Sequence, residues 1–446
     1  MTLRSRGTRF AVALTLLASL GGCGLFGHHV ERGPKTAVLG NRVSVLNTGS
    51  DAVADPSLAD VPVVVPAAVA NDAWTQPGGN ATKVMGNLAL PLALHPGWST
   101  KIPGGDITQR IGSTPAIADG KLFVIDADAV VRAFNATTGA RLWQTALDTT
   151  KRDKVVLFGG GVSFDGGKVY VTTGRGDAAA LEAATGKVLW KVRPSGPLRG
   201  APAVGGGNVY VLSQDNQIFA LKPETGETLW TVSATLQTSG VFGVAAPAIA
   251  QGTVVAGFSS GELSALRYEN GRIVWQDQLS RTSISTSVSV ISDIDASPVI
   301  DQGKVYAIGQ GGRMVAMDLV TGQRLWELTI GGINTPWLAG EWLFVVTDEA
   351  KLMCIARTTG KIRWIAQLPR WRDPKNKNKP IEWYGPVLAG GRLLVVSDVG
   401  RLVNVAVADG KVGSSVKAGK SFYLPPIVAN NMLYLLDAKG RLSTWR

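Results

Sequence analysis

The phrase Thr-Gly-x-x-x-Trp, or a near copy, returns along this chain about every 44 residues, and no other feature limits the possible folds as tightly. It reads Thr138-Gly139 to Trp143, Thr185-Gly186 to Trp190, Thr225-Gly226 to Trp230, Asn270-Gly271 to Trp275, Thr321-Gly322 to Trp326 and Thr359-Gly360 to Trp364. A seventh copy, Asp409-Gly410 to Ser414, has lost its Trp. A period in this range carried by short strands marks a β-propeller, in which each repeat is one blade.

The course of each repeat supports that reading. In the first copy, Thr114-Pro115-Ala116-Ile117 opens an inner strand and Asp119-Gly120 turns the chain. Leu122 to Ile125 and Val130 to Phe134 then form two further strands, and Thr138-Gly139 leads into the Trp strand. The proline recurs at Pro202, Pro247, Pro298, Pro336, Pro386 and Pro426, while the second repeat has Gly161 in its place. Proline cannot donate to a ladder, so it suits the start or the free edge of a blade's innermost strand. Glycine after Thr supplies the positive φ of a tight hairpin. An indole is large enough to bridge one sheet to the next, so Trp143, Trp190, Trp230, Trp275, Trp326 and Trp364 are expected to pack blade on blade rather than stack on a ligand.

Counting these units predicts an all-β, eight-bladed propeller of four-stranded antiparallel blades. The eighth unit stops at Arg446 after three strands. Upstream, Ala93 to Ile102 forms an unclaimed strand whose Trp98 precedes Pro115 by the interval that separates Trp230 from Pro247. This strand is expected to complete the last blade and close the ring, leaving no long open edge.

Length counts domains poorly when repeats merge into one body, so residues 73–446 are assigned to one propeller. Residues 1–9 carry three arginines and no acid, Phe10 to Leu20 is apolar but too short to span a bilayer, and small residues lead to Cys23. Residues 1–22 therefore read as a secretory signal peptide. Its end resembles a bacterial lipobox, which implies lipidation of Cys23. Gly24 in place of an Asp implies an outer-membrane anchor facing the periplasm. The proline-broken stretch to residue 72 reads as a flexible tether. Cys354 lies in an apolar run and is expected to be a small buried residue.

The Gly-x-x-x-Trp repeats and the phrase Trp74-Thr75-Gln76-Pro77-Gly78-Gly79-Asn80 resemble the pyrroloquinoline-quinone-type propeller superfamily. Within it, the lipobox, the blade number and the closing strand resemble the BamB family of outer-membrane β-barrel assembly lipoproteins. That resemblance implies a non-enzymatic scaffold without a cofactor, monomeric on its own. It also implies docking on a periplasmic POTRA domain of BamA, contact with other subunits of the assembly (BAM) complex and service to outer-membrane protein clients. BamB proteins place an Asp-x-Asp pair before one blade, which makes Asp293 and Asp295 candidate partner contacts. A second family patch, Leu-x-Leu-Arg, falls on Leu236, Thr238 and Ser239, where only Leu236 fits the pattern. Read from the residues alone, Asp293 and Asp295 are equally compatible with solvated acids capping a turn. An EF-type calcium loop is incomplete here, with neither its glycine nor its distal Glu.

Other classes find less in the chain. A quinoprotein dehydrogenase of the same fold would resemble its kind by an adjacent cysteine pair and a Glu, Asn and Asp calcium site, and no such pair is present. A Ser or Cys nucleophile needs a base, and His95 beside Pro96 is poorly placed for one. The net charge of +12 falls to about +9 without Arg4, Arg6 and Arg9, and no nucleic-acid motif accompanies it. The basic insertion Arg370 to Pro380 is the best feature for a propeller that binds a cell-envelope polymer; such a run reads first as a solvated loop and otherwise as a contact for acidic partners or lipid headgroups.

Overall fold

A computed structural model describes residues 52–105, 110–147, 160–236, 245–279, 293–310 and 312–446. Eight antiparallel sheets of four strands follow one another, and a separate two-stranded hairpin, Trp371–Asp373 with Asn378–Pro380, lies between the sixth and seventh. Blade 1 is typical: Ala116–Ala118, Lys121–Ile125, Val130–Asn135 and Arg141–Ala146, hydrogen-bonded in that order. Its first two strands are almost wholly buried, whereas the outermost is largely exposed. Strands covered on both faces can be continuously apolar, and here the inner strands are.

The eighth blade holds Ile427–Ala429, Met432–Leu436 and Arg441–Trp445, and its outer place is taken by Pro96–Lys101. Ser99 pairs with Ser443 and Lys101 with Arg441, so the strand before the first repeat closes the ring, as the sequence predicts. Proline stands immediately before the three-residue inner strand of six blades and inside the seven-residue inner strand Trp383–Ala389 of blade 7. Blade 2, without the proline, extends its inner strand to six residues, Gly160–Asp165. Glycine serves there because a Cβ on Gly161 would lie 2.2 Å from the Ser113 hydroxyl.

The repeated phrase is a staple between neighbours. Trp230 donates its indole N–H to the Tyr268 carbonyl of the next blade at 3.0 Å, and a Cβ on that blade's Gly271 would lie 2.6 Å from the indole ring. The same two contacts join Trp98 to Ala136 and Gly139, Trp143 to Ala183 and Gly186, and Trp190 to Pro223 and Gly226. They continue from Trp275 to Leu319 and Gly322, Trp326 to Arg357 and Gly360, and Trp364 to Val407 and Gly410. Glycine is thus required twice at this position, for its left-handed φ (+72° at Gly271) and for the aromatic ring pressed against it. Ser414 breaks the series, and its strand Val412–Lys417 is exposed at every residue.

A second regularity explains Cys354. In its own sheet each staple Trp of blades 1 to 5 faces a small residue: Ala133, Ala180, Ala220, Ala265 and Ala316 oppose Trp143, Trp190, Trp230, Trp275 and Trp326. Cys354 opposes Trp364 in the same way, fully buried, with burial pushing its thiol pKa up. It acts as a slightly larger alanine, and the sequence expectation of a small buried residue holds.

Residues 52–72 depart from the flexible tether the sequence suggests. The Asp55 N–H donates to the Ile362 carbonyl at 2.7 Å, Lys361 pairs with Asp55 at 3.1 Å, and Arg363 Nε donates to the Val61 carbonyl at 2.7 Å. This stretch therefore runs along blade 6. The cause is unused hydrogen-bonding capacity on the blade, which periodicity cannot reveal. Cys23 and residues 1–22 lie outside the described residues.

Candidate functional site

The central channel has two ends of different construction. At the end where inner strands turn into second strands, residues 71–90 make a circuit of the ring. In ring order, Asn71 bonds to Asn430 and Val428 of blade 8, Trp74 pairs with Ile117 of blade 1, and Thr75 accepts from Phe164 of blade 2. Gln76 then exchanges two hydrogen bonds with the Val204 backbone of blade 3, at 3.1 and 3.2 Å. Ala81 accepts from Ile249 of blade 4, Thr82 from Ile300 of blade 5 and Gly86 from the Trp337 indole of blade 6. Leu88 completes the circuit on Leu388 and Gly390 of blade 7. An innermost strand has a ladder partner on one side only, and this clasp satisfies groups on the free side that would otherwise be buried without partners.

The phrase Trp74 to Asn80 is the turning point of the clasp. Trp74 is buried and stacks on Trp337 with ring centroids 6.1 Å apart. Lys83 is fully buried, and its ammonium nitrogen donates to Gln76 Oε1 at 3.3 Å. Burial away from any carboxylate pulls its pKa down to about 7.

The opposite end, where the chain enters each blade, carries the candidate docking residues. Asp293 and Asp295 begin the segment leading to Pro298, and both are buried, at 0% and 5% exposure. Alternation along an extended segment puts their side chains on one side and sends Ile294 to the other. Ile294 packs so closely that a Cβ on Gly257 would lie 2.4 Å from it. The Asp293 carbonyl accepts from Gln310 at 2.9 Å, and Ser297 Oγ accepts from the Ala246 N–H at 3.1 Å. The segment is therefore pinned to the neighbouring blades from both sides.

Between the two acids lies Arg199. Its Nη2 donates to Asp293 Oδ1 at 2.8 Å and to Asp295 Oδ1 at 3.2 Å, and the guanidinium is itself buried. Among the described residues, Arg199 Nη1, Asp293 Oδ2 and Asp295 Oδ2 find no hydrogen-bond partner. One cation faces two carboxylates, so neutrality requires one proton. Burial, and next the Asp293 carboxylate, push the Asp295 pKa upward, with Arg199 offsetting part of the rise. Asp293 and Asp295 are thus not solvated turn caps. In the free chain they lie beneath the surface as an ion cluster spanning blade junctions.

Arg199 escaped the sequence reading. The family pattern places an arginine after Leu236, but the structure supplies one from Leu198-Arg199, one blade earlier. The only available signal was that this dipeptide sits before an inner strand as the other loop does. Leu236 itself is 68% exposed at the same mouth, on a loop held by Thr235, whose N–H donates to Glu262 Oε2 at 2.7 Å. Thr238 and Ser239 lie outside the described residues.

Among the described residues no three His, Cys, Asp or Glu side chains could share a metal ion, and Cys354 is buried within a sheet. What remains is a ring clasped at one end by residues 71–90, with Leu236 exposed at the other. Such an arrangement defines an eight-bladed β-propeller closed by its own upstream strand.

The family model for outer membrane protein assembly factor BamB matches residues 96–158, 127–366 and 369–445. The outer membrane protein assembly factors BamB of Shigella dysenteriae and Escherichia coli are 35% and 34% identical over 346 residues, covering 77% of this chain and 86% of theirs. The crystal structure of BamB from Moraxella catarrhalis superposes with a TM-score of 0.67 at 20% identity, over 79% of this chain and all of that one. A europium-containing methanol dehydrogenase shares the fold at a TM-score of 0.65 and 15% identity, over 82% of this chain and 89% of its own. The chain belongs to the BamB family of outer membrane protein assembly factors.

Proposed function

We propose that this protein is a non-enzymatic accessory factor in outer-membrane protein assembly, anchored to the outer membrane through a lipidated Cys23 and facing the periplasm. It docks on a POTRA domain of BamA through the loops at the open mouth of its channel. The observation that carries the reading is the joining of the family match, which spans the whole ring, with a docking mouth that is structurally pinned. Asp293, Asp295 and Arg199 hold the mouth in shape from below, and Leu236 supplies apolar contact from above. Thr238 and Ser239 stand two and three positions after Leu236 in sequence and belong to the same proposed patch. Because Asp293, Asp295 and Arg199 are already held in place, docking loses little entropy in ordering them.

Two variants test this without confounding each other. Leu236→Asp alters an exposed side chain and leaves the fold unstrained, so binding to the purified periplasmic domain of BamA is expected to fall about tenfold or more. Asp293→Asn with Asp295→Asn keeps the shapes but removes the charges that fix Arg199, and is expected to weaken binding through the loop. Unchanged affinity for Leu236→Asp would reject this mouth as the docking surface. Alcohol oxidation on addition of pyrroloquinoline quinone and calcium would overturn the non-enzymatic reading.

A further inference from the structure

The open face carries a second feature that the docking mouth does not use. Between blades 6 and 7 the hairpin Trp371–Asp373 and Asn378–Pro380 projects from the ring. Its root is fastened: Trp383 Nε1 donates to the Pro369 carbonyl at 2.9 Å, the Ile381 N–H donates to the Arg370 carbonyl at 2.9 Å, and Arg372 pairs with Asp398. Its tip presents Lys375, Lys377 and Lys379, all exposed. The acid nearest the tip in sequence, Asp373, is engaged with Asn376, accepting from its backbone N–H at 3.2 Å and its side-chain amide at 2.8 Å.

Continuing round the ring, Lys420 lies in the link from blade 7 to blade 8, and Lys439 and Lys101 lie at the same end of blade 8. These three line a shallow groove of about 520 Å³ with Ile102 to Gly105. Asp437 beneath them is buried and accepts from the backbone N–H groups of Lys420, Lys439 and Arg441. Among the described residues no carboxylate pairs with any of these six lysines. A basic arc therefore runs over blades 7 and 8 on this face, with no carboxylate paired to its ammonium groups among the described residues.

Two kinds of surface could meet such an arc, and the structure favours one. A membrane-seeking hairpin carries apolar or aromatic residues at its tip, whereas here the tip reads Pro374-Lys375-Asn376-Lys377-Asn378-Lys379. The aromatic residue, Trp371, is half-buried at the root with Arg370 stacked 5.1 Å from its ring centroid. Residues 52–66, moreover, reach the ring on the opposite, clasped side, where Pro66 packs 3.2 Å from the position a Cβ on Gly340 would take. The lysines therefore share a face with Leu236 and not with the incoming chain.

We infer that the arc formed by the 371–380 hairpin and Lys420, Lys439 and Lys101 receives an acidic surface of the same protein partner that meets the mouth. This rests on the proposed docking reading. Exposed lysines of this kind steer encounter and set orientation more than they add to final affinity. They should act on the association rate, steeply at low salt and weakly at high salt.

The test uses the full chain and the periplasmic domain of BamA as probe, with association and dissociation rates measured at about 50 and 300 mM salt, either side of the physiological screening regime. Lys375→Glu with Lys377→Glu and Lys379→Glu is expected to slow association about tenfold at low salt, to flatten its salt dependence and to leave dissociation nearly unchanged. The corresponding Gln variants should fall between. Association that is unaltered in these variants, while Leu236→Asp still abolishes binding, would overturn the arc and leave the docking mouth standing. Failure of the unmodified chain to bind would overturn both. Loss of co-sedimentation with phosphatidylglycerol vesicles, with BamA binding intact, would overturn the inference in favour of a membrane contact.

Discussion

Lys83 shows how far a single residue can sit from its comfortable chemistry. Its ammonium is sealed inside the clasp with one amide oxygen for company, and the folded state resists protonating it. The folded pKa of about 7 lies below the ordinary 10.5, so the penalty is absent above pH 10.5, grows as pH falls towards 7, and is complete below. Lys83→Met, which keeps the stem and removes the charge, should therefore stabilise the protein at neutral pH, on the order of 3 kcal/mol, with the gain fading as pH rises towards 10. Denaturant melts at pH 7 and pH 10 check both size and sign; an equal gain at the two values would show that the charge is not the cause. At the same scale, Cys354 was legible as a small buried residue. Its reason, an indole across the ladder, required the register. Asp293 and Asp295 were legible as a pair, but their burial and their arginine were not, because Arg199 comes from 94 residues upstream.

Among elements, the Trp and Gly staple is the unit that turns separate sheets into a ring. Propeller blades share few backbone hydrogen bonds with one another, so the side chains across each junction must supply the cohesion. Gly271→Ala would place a methyl 2.6 Å from the Trp230 ring at a backbone φ of +72°. A loss of about 2–4 kcal/mol is expected from overpacking and left-handed strain together, read as a lower denaturation midpoint. Gly120→Ala is the control, with φ +70° but open space where the methyl would go, and it should lose only the backbone part. Equal losses at the two sites would assign the effect to the turn and not to the staple. The staples were legible because local hairpin chemistry and one large aromatic recur at fixed spacing. Ser414 was also legible as an exception, and the structure gives it an exposed outer strand.

Across the whole molecule, two separate devices hold the ring. The closing strand Pro96–Lys101 joins the chain's ends within one sheet, and the clasp of residues 71–90 touches every blade from inside. The family match begins at residue 96, so the clasp lies upstream of it. Removing residues 52–90 while keeping the closing strand should cost on the order of 5 kcal/mol, since the entropy of ordering the segment offsets much of what its hydrogen bonds and the burial of Trp74 contribute. Calorimetry should show a lower and broader transition; an unchanged melt would mean that the clasp merely lies on the ring. The sequence alone determined the blade number, the closing strand and the staples. These follow from periodic patterning and turn residues, which act over a few positions. Only the tertiary structure decided the path of residues 52–90, the burial of Asp293 and Asp295, and the choice of Arg199 to meet them. Those depend on which free backbone edges and uncompensated charges come together when distant repeats close into a ring, and nothing in the local pattern encodes that meeting.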